Sequence, residues 1–184
     1  MKKFMERYSY ESVHLFLNQV AIALFGLTLA LAAGMAESFA LSVVTSVFAV
    51  LFFLILQYNT MWKVGANDRL SDDLGKIKVS YSVPFWMWLL SNSLNLLLAL
   101  LFAVGKAVSS VDLISSVGGV AAVINLIVQG MYTGLLTIDV GGAPLNTYWF
   151  MHFVITIPAL AVGYLAYLLG SRNIKLLAPL NKEK

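Results

Sequence analysis

Apolar side chains gather along this chain in five long stretches, at residues 14–33, 39–58, 83–104, 114–137 and 148–169, whose interiors hold almost no ionisable group. About 18 consecutive apolar residues suffice to carry an α-helix across the hydrocarbon of a bilayer. The pattern therefore predicts an all-α, polytopic transmembrane bundle of about five spanning helices in a single domain. Short polar segments punctuate it. Residues 34–38 form a tight turn with Ser38 placed to cap the second helix, so the first two helices are expected to be antiparallel neighbours. Pro84 suits the first turn of the third helix, where a missing N–H costs little. Pro158 lies inside the fifth, where it removes one intrahelical bond, frees the Val154 carbonyl and predicts a kink.

One polar segment is long. Residues 61–80 carry Lys63, Asp68, Arg69, Asp72, Asp73, Lys76 and Lys78, and end in a polar/apolar alternation from Lys76 to Val83. Alternation of that period favours an extended segment over a helix, and Asp72-Asp73-Leu74-Gly75 offers a turn, so a small β-hairpin is compatible with this loop. The acidic residues lack the alternating ligand spacing and distal glutamate of a calcium loop, and the expectation is a solvated charged surface.

The distribution of basic residues sets an orientation. Lys2, Lys3 and Arg7 precede the first stretch and Lys63, Arg69, Lys76 and Lys78 follow the second, whereas the turn between the stretches has none. Both basic segments are expected on the cytoplasmic side. Five ordinary spans then put the C-terminal residues, with Arg172, Lys175, Lys182 and Lys184, outside, against the same rule. Five ordinary spans are the preferred reading; the alternative is an even number of crossings, with a broken or re-entrant helix between residues 105 and 147. The first apolar run is longer than the 7–15 residues of a signal-peptide core, and it is read as an uncleaved helix.

Composition narrows the function. A hydrophobic share of 60% and a mean hydropathy of +0.84 over 184 residues leave no separate soluble domain, and a net charge of +3 concentrated at loops and ends reflects topology, not nucleic-acid binding. With no cysteine, thiolate metal sites, thiol nucleophiles and disulfides are excluded. No nucleotide, hydrolase or zinc-protease motif occurs. The expectation is a non-enzymatic protein without cofactor, in contact with the lipid bilayer, and open to a protein partner or to homo-oligomerisation.

Polar residues inside the stretches supply the candidate site. Gly118, Ala122, Asn125, Gln129 and Thr133 recur at helical spacing on one face of the fourth stretch, and Trp88, Asn92, Asn95, Ala99 and Ala103 on one face of the third. The two stripes are expected to face each other, so that Asn92, Asn95, Asn125 and Gln129 share a buried polar layer with Thr133 and His152 beside it. Two readings stay open: interhelical amide bonds with small residues allowing close approach, or a polar cavity for an uncharged solute. The closed form is preferred. Gly26, Ala30 and Gly34, and Gly130 with Gly134, extend the small-residue pattern. His152 is read as a hydrogen-bonded histidine near the interface.

Asn18-Gln19-Val20-Ala21 with Phe25-Gly26-Leu27, Tyr58-Asn59 with Trp62 and Gly65-Ala66-Asn67-Asp68-Arg69, and Gly163-Tyr164 with Leu169-Gly170 resemble segments of small polytopic bacterial membrane proteins that have no assigned activity. The resemblance implies a multi-pass protein of the bacterial cytoplasmic membrane. Three functions fit these observations: an accessory membrane subunit that contacts a partner through residues 61–80, a small transporter or solute-binding membrane component, and an oligomeric channel.

Overall fold

The computed structural model describes residues 2–108 and 110–176; Lys182 and Lys184 lie outside the described residues. The chain is helical nearly throughout. Helices α1 (Lys2–Met35) and α2 (Phe39–Asp73) form a long antiparallel pair, joined at a turn where Ser38 Oγ accepts from Leu41 N at 3.3 Å. At 34 and 35 residues each is about 50 Å long at 1.5 Å per residue, against a hydrocarbon core of about 30 Å. Both therefore extend beyond their apolar stretches at the same end, the one that carries Arg7 and Arg69 and is called here the basic end.

The third and fourth stretches are broken helices. Helices α3 (Val83–Ser91) and α4 (Ser93–Ala107) meet at Asn92 with a bend of 64°; α5 (Asp112–Val128) and, after a 3-10 turn at Gly130–Tyr132, α6 (Thr133–Leu136) are bent by 78° at Gln129. Helices α4 and α5 form a hairpin in which Gly105 and Gly118 bring the two backbones into contact, leaving no space for a Cβ at either position. The fifth stretch comprises α7 (Met151–Val154) and α8 (Ile157–Ser171), interrupted at Ile155–Thr156 just ahead of Pro158 as expected from the proline. Three helices are thus long and apolar enough to cross a membrane, or up to five if each bent pair counts as one span. This is the architecture of a multi-pass membrane protein.

Two differences from the sequence reading have clear physical causes. The segment 61–80 is no hairpin: α2 continues to Asp73, because its buried face, through Phe53, Gln57, Met61, Val64, Gly65 and Asp68, keeps helical periodicity past the end of the apolar run. The small two-stranded sheet lies instead at Asp139–Val140 and Ala143–Pro144, turned by Gly141 and Gly142 at φ of +68° and +87°, which suit glycine.

The second difference is topological. Helix α8 runs parallel to α2: Gly163 packs against the side chains of Gln57 and Met61, and Gly170 against Trp62 and Ala66 so closely that a side chain there would strike the α2 backbone. Residues past α8 end at the basic end, where Trp62 Nε1 donates to Ile174 O at 2.7 Å. Helix α6 lies at the opposite end, with Gly134 N donating to Ser46 Oγ at 2.7 Å near the start of α2. Both ends of the described chain therefore lie at the same end of the bundle. Two of the five stretches are bent pairs and not ordinary spans, and the described basic residues after Leu169, Arg172 and Lys175, lie at the basic end beside Arg69 and Trp62.

Because the chain has no native cysteine, single substitutions Glu6→Cys, Asp72→Cys and Asn173→Cys are expected to label alike with a membrane-impermeant maleimide, and Glu37→Cys oppositely. Labelling of Asn173→Cys in step with Glu37→Cys would contradict the parallel arrangement of α2 and α8.

Candidate functional site

At the basic end, Asp68 is 1% exposed. Its Oδ1 accepts from Arg7 Nη2 at 2.8 Å, and its Oδ2 accepts from Tyr8 OH at 2.8 Å and Tyr167 OH at 2.7 Å. Arg7 Nη2 also donates to Ser71 Oγ at 3.1 Å. Tyr167 reaches the carboxylate because Gly65, one turn before Asp68, lets its backbone carbonyl lie against α2. A buried carboxylate is tolerable when it is paired and its lone pairs are filled, and here donors from α1 and α8 do both. The residue expected on a solvated loop is the polar centre of a three-helix junction.

The rest of the predicted partner segment is distributed around it. Arg69 donates to Ser171 O at 3.2 Å and pairs with Asp73 at 3.6 Å. Asp72 Oδ2 accepts from Val79 N at 3.1 Å, folding residues 74–80 back toward α2. Lys63, Asp72, Asp73, Lys76 and Lys78 are exposed. Arg69 is exposed as well, with 48% of its side-chain surface open.

Deeper in the bundle, Asn92, Asn95, Asn125, Gln129 and His152 are all buried, each at 2% exposure or less. They fall into separate groups. In the first, Asn92 Oδ1 accepts from Gln19 Nε2 at 3.2 Å and Asn95 Nδ2 at 3.5 Å, while its Nδ2 donates to Trp88 O at 3.1 Å. In the second, Gln129 Nε2 donates to His152 O at 3.3 Å, and His152 Nδ1 lies 2.7 Å from Gln129 Oε1. The other ring nitrogen, Nε2, lies 3.2 Å from Asn146 O. The ring is thus held by the Gln129 side chain and the Asn146 carbonyl, and its tautomer decides which nitrogen donates. Asn125, one turn before Gln129 on α5, has neither side-chain polar atom bonded to protein, and Gln19 Oε1 and Asn95 Oδ1 also lack a protein donor. Thr133 is half-buried and bonds only the Gly130 carbonyl of its own turn, at 2.9 Å.

The layer coincides with the helix breaks. Asn92 occupies the junction of α3 and α4, Gln129 that of α5 and the 3-10 turn, and Thr156 that of α7 and α8. Side chains tie these junctions together: Trp88 Nε1 donates to Thr156 O at 3.1 Å, and Gln129 holds His152. Irregular backbone at membrane depth is stable only where protein or a wet cavity covers it, and Asn92, Gln129 and Thr156 are all buried. The close helix approaches that cover it use glycine as the sequence suggested at Gly26, which meets Met131, and at Gly130, which meets Ala23; Gly34 makes no such contact.

Among the described residues no cluster of three or more His, Asp or Glu side chains could hold a metal. Comparisons with protein-family models, curated proteins and solved structures find no match.

Sequence reasoning placed the amides on inward faces and missed Gln19, Arg7, Tyr8 and Tyr167 as partners. Gln19 carried a visible signal, being spaced by sevens from Ser12 and Gly26 on the buried face of α1. The tyrosines carried none, since they lie 60 and 99 residues from Asp68.

Asp68→Ala is expected to destabilise the protein in detergent by about 3–5 kcal/mol, the range for breaking a buried ion pair, and Tyr167→Phe by about 1–3 kcal/mol. Chemical unfolding that leaves Asp68→Ala unchanged would remove the junction from its structural role. In the deeper layer, Gln129→Leu and His152→Phe should be non-additive by about 0.5–3 kcal/mol, whereas Gln129→Leu and Asn95→Leu should add, because only the first pair shares a hydrogen bond.

Proposed function

We propose that this chain is a non-enzymatic, multi-pass membrane protein that binds a small, uncharged, hydrogen-bonding solute in the amide layer, as a transporter or the solute-binding component of one. The observation that carries this reading is the set of buried amide atoms with no protein partner, Gln19 Oε1, Asn95 Oδ1 and both polar atoms of Asn125, beside three linked helix breaks. Each such atom costs about 1–3 kcal/mol if left unpaired, and a solute with both donors and acceptors removes that cost. Discontinuous helices that meet near the bilayer midplane are a recurrent way to build transport sites, because their junctions free polar groups from the helical ladder. The solute is uncharged because no Asp, Glu, Lys or Arg lies within the apolar stretches to orient a charge. In this reading the basic end is cytoplasmic, in keeping with the positive-inside rule, and the membrane is the bacterial cytoplasmic membrane that the sequence resemblance implies.

The exposed charges at Lys63, Asp72, Asp73, Lys76 and Lys78 favour a second reading, an accessory subunit that docks a protein partner or a second copy at the basic end. Charge reversal at Lys76 and Lys78 would then dissociate the assembly and leave solute binding intact.

The first reading is tested by thermal unfolding of the purified protein against polyols, ureides, nucleosides and small amides. At least one class should raise the unfolding temperature of the native chain and not that of Asn125→Leu. Asn125→Leu should itself stabilise the solute-free protein by about 1–3 kcal/mol, because it removes unpaired buried polar atoms. If Asn125→Leu instead destabilises the protein and no solute class shifts the native chain, the layer is packing alone.

A further inference from the structure

The two faces of the α1–α2 pair differ sharply at the basic end. On one, Arg7 and Tyr8 are bonded to Asp68 and Ser71. On the other, Tyr10, Glu11 and His14 of α1 face Thr60, Lys63, Val64 and Asn67 of α2 across a groove of about 230 Å³. No hydrogen bond or ion pair among the described residues crosses this groove: the side-chain ion pairs are Arg7–Asp68 and Arg69–Asp73, and His14 bonds Asn18 at 3.4 Å and stacks on Tyr10, both of its own helix. Glu11 keeps one oxygen, Oε2, shielded from solvent with no donor.

An acid and a base on opposite walls of one groove, not paired with each other, form a site for a ligand that carries both charges. We propose that this groove binds an ammonium–phosphate zwitterion of the phosphoethanolamine type, with the ammonium N–H groups donating to Glu11 and the phosphate accepting from Lys63, and with Thr60, Asn67 and Tyr10 supplying further polar contacts. A primary ammonium is specified because Glu11 lacks a donor, and a quaternary ammonium has none to give. The groove is smaller than the roughly 300 Å³ at which drug-sized sites begin, which suits a headgroup-sized ligand. Its depth suits a lipid. His14 opens the apolar stretch of α1 and Thr60 follows the end of that of α2, so the groove lies at the headgroup level; Leu17, one turn below His14, is 56% exposed on the same flank of α1 and offers a path for an acyl chain. The proposal is independent of the amide layer, which lies deeper and involves other residues.

The test is native mass spectrometry of the whole chain released from nanodiscs that contain equal parts of phosphatidylethanolamine, phosphatidylcholine and phosphatidylglycerol with identical acyl chains. Phosphatidylethanolamine should be retained preferentially, and Glu11→Gln and Lys63→Gln should each reduce that preference by about ten-fold, as expected for loss of one charge-assisted hydrogen bond. Arg69→Gln, whose side chain lies away from the groove, should leave it unchanged. Free O-phosphoethanolamine is added in a parallel arm: displacement of the retained lipid supports the same chemistry with a soluble source, and failure to displace it assigns the site to lipid. Equal retention of the three lipids, or an undiminished preference in a folded Glu11→Gln or Lys63→Gln, overturns the proposal. Because the two substitutions act on different helices, misfolding of one leaves the other decisive.

Discussion

The arrangement of this bundle depends on one buried carboxylate. Asp68 belongs to α2, and its lone pairs are filled by Arg7 and Tyr8 of α1 and by Tyr167 of α8. Burying such a group without partners would cost several kcal/mol, so the three helices have to meet with these residues at one level. Helices α1 and α2 already meet through their turn. The position of Tyr167 then requires α8 to rise alongside α2, with the glycines at 65, 163 and 170 giving the necessary close approach. From that follows the gathering of Arg7, Arg69, Arg172 and Lys175 at one end.

How much of this was legible in the sequence varied with the range of the interactions. Length and hydropathy identified the apolar stretches, because bilayer thickness acts on each helix separately. The amide stripes were legible because helical periodicity is local, and the kink at Pro158 because the missing N–H is a property of one residue. The break at Asn92 was not legible, because the residue is neither glycine nor proline; that at Gln129 falls in the 105–147 region where a broken helix stood as the alternative, though its position was not marked. Each bend is supported by contacts from other helices, Gln19 to Asn92 and His152 to Gln129. Asp68 was misread because its charge outweighed its position. The buried face of α2 passes through Gln57, Met61, Val64 and Asp68 at spacings of four, three and four, so a test of periodicity alone would have placed the carboxylate inside.

The two polar regions obey different rules. At the basic end, donors and acceptors match, and the junction is complete within the chain. In the amide layer they do not match: Asn92 Oδ1 accepts twice, while the Asn125 side chain has no protein partner. Fully paired polar clusters hold helices in one arrangement, and unpaired buried groups are where a structure is open to an added molecule. The same chain thus separates a place that fixes its shape from a place that is chemically unfinished.

The α4–α5 hairpin has a mechanical consequence. Its two helices pack chiefly on each other, backbone against backbone at Gly105 and Gly118, and they join the remaining bundle at Asn92 and Gln129. Rotation about those two junctions would move the hairpin as a rigid paddle, with its own internal contacts unbroken and the α1–α2–α8 trio left in place. Near its tip, Lys106 donates to Thr147 O at 2.6 Å, and Phe102 packs edge-on against His152 with ring centroids 5.3 Å apart; among the described residues these contacts to α7 and the chain ahead of it resist the swing.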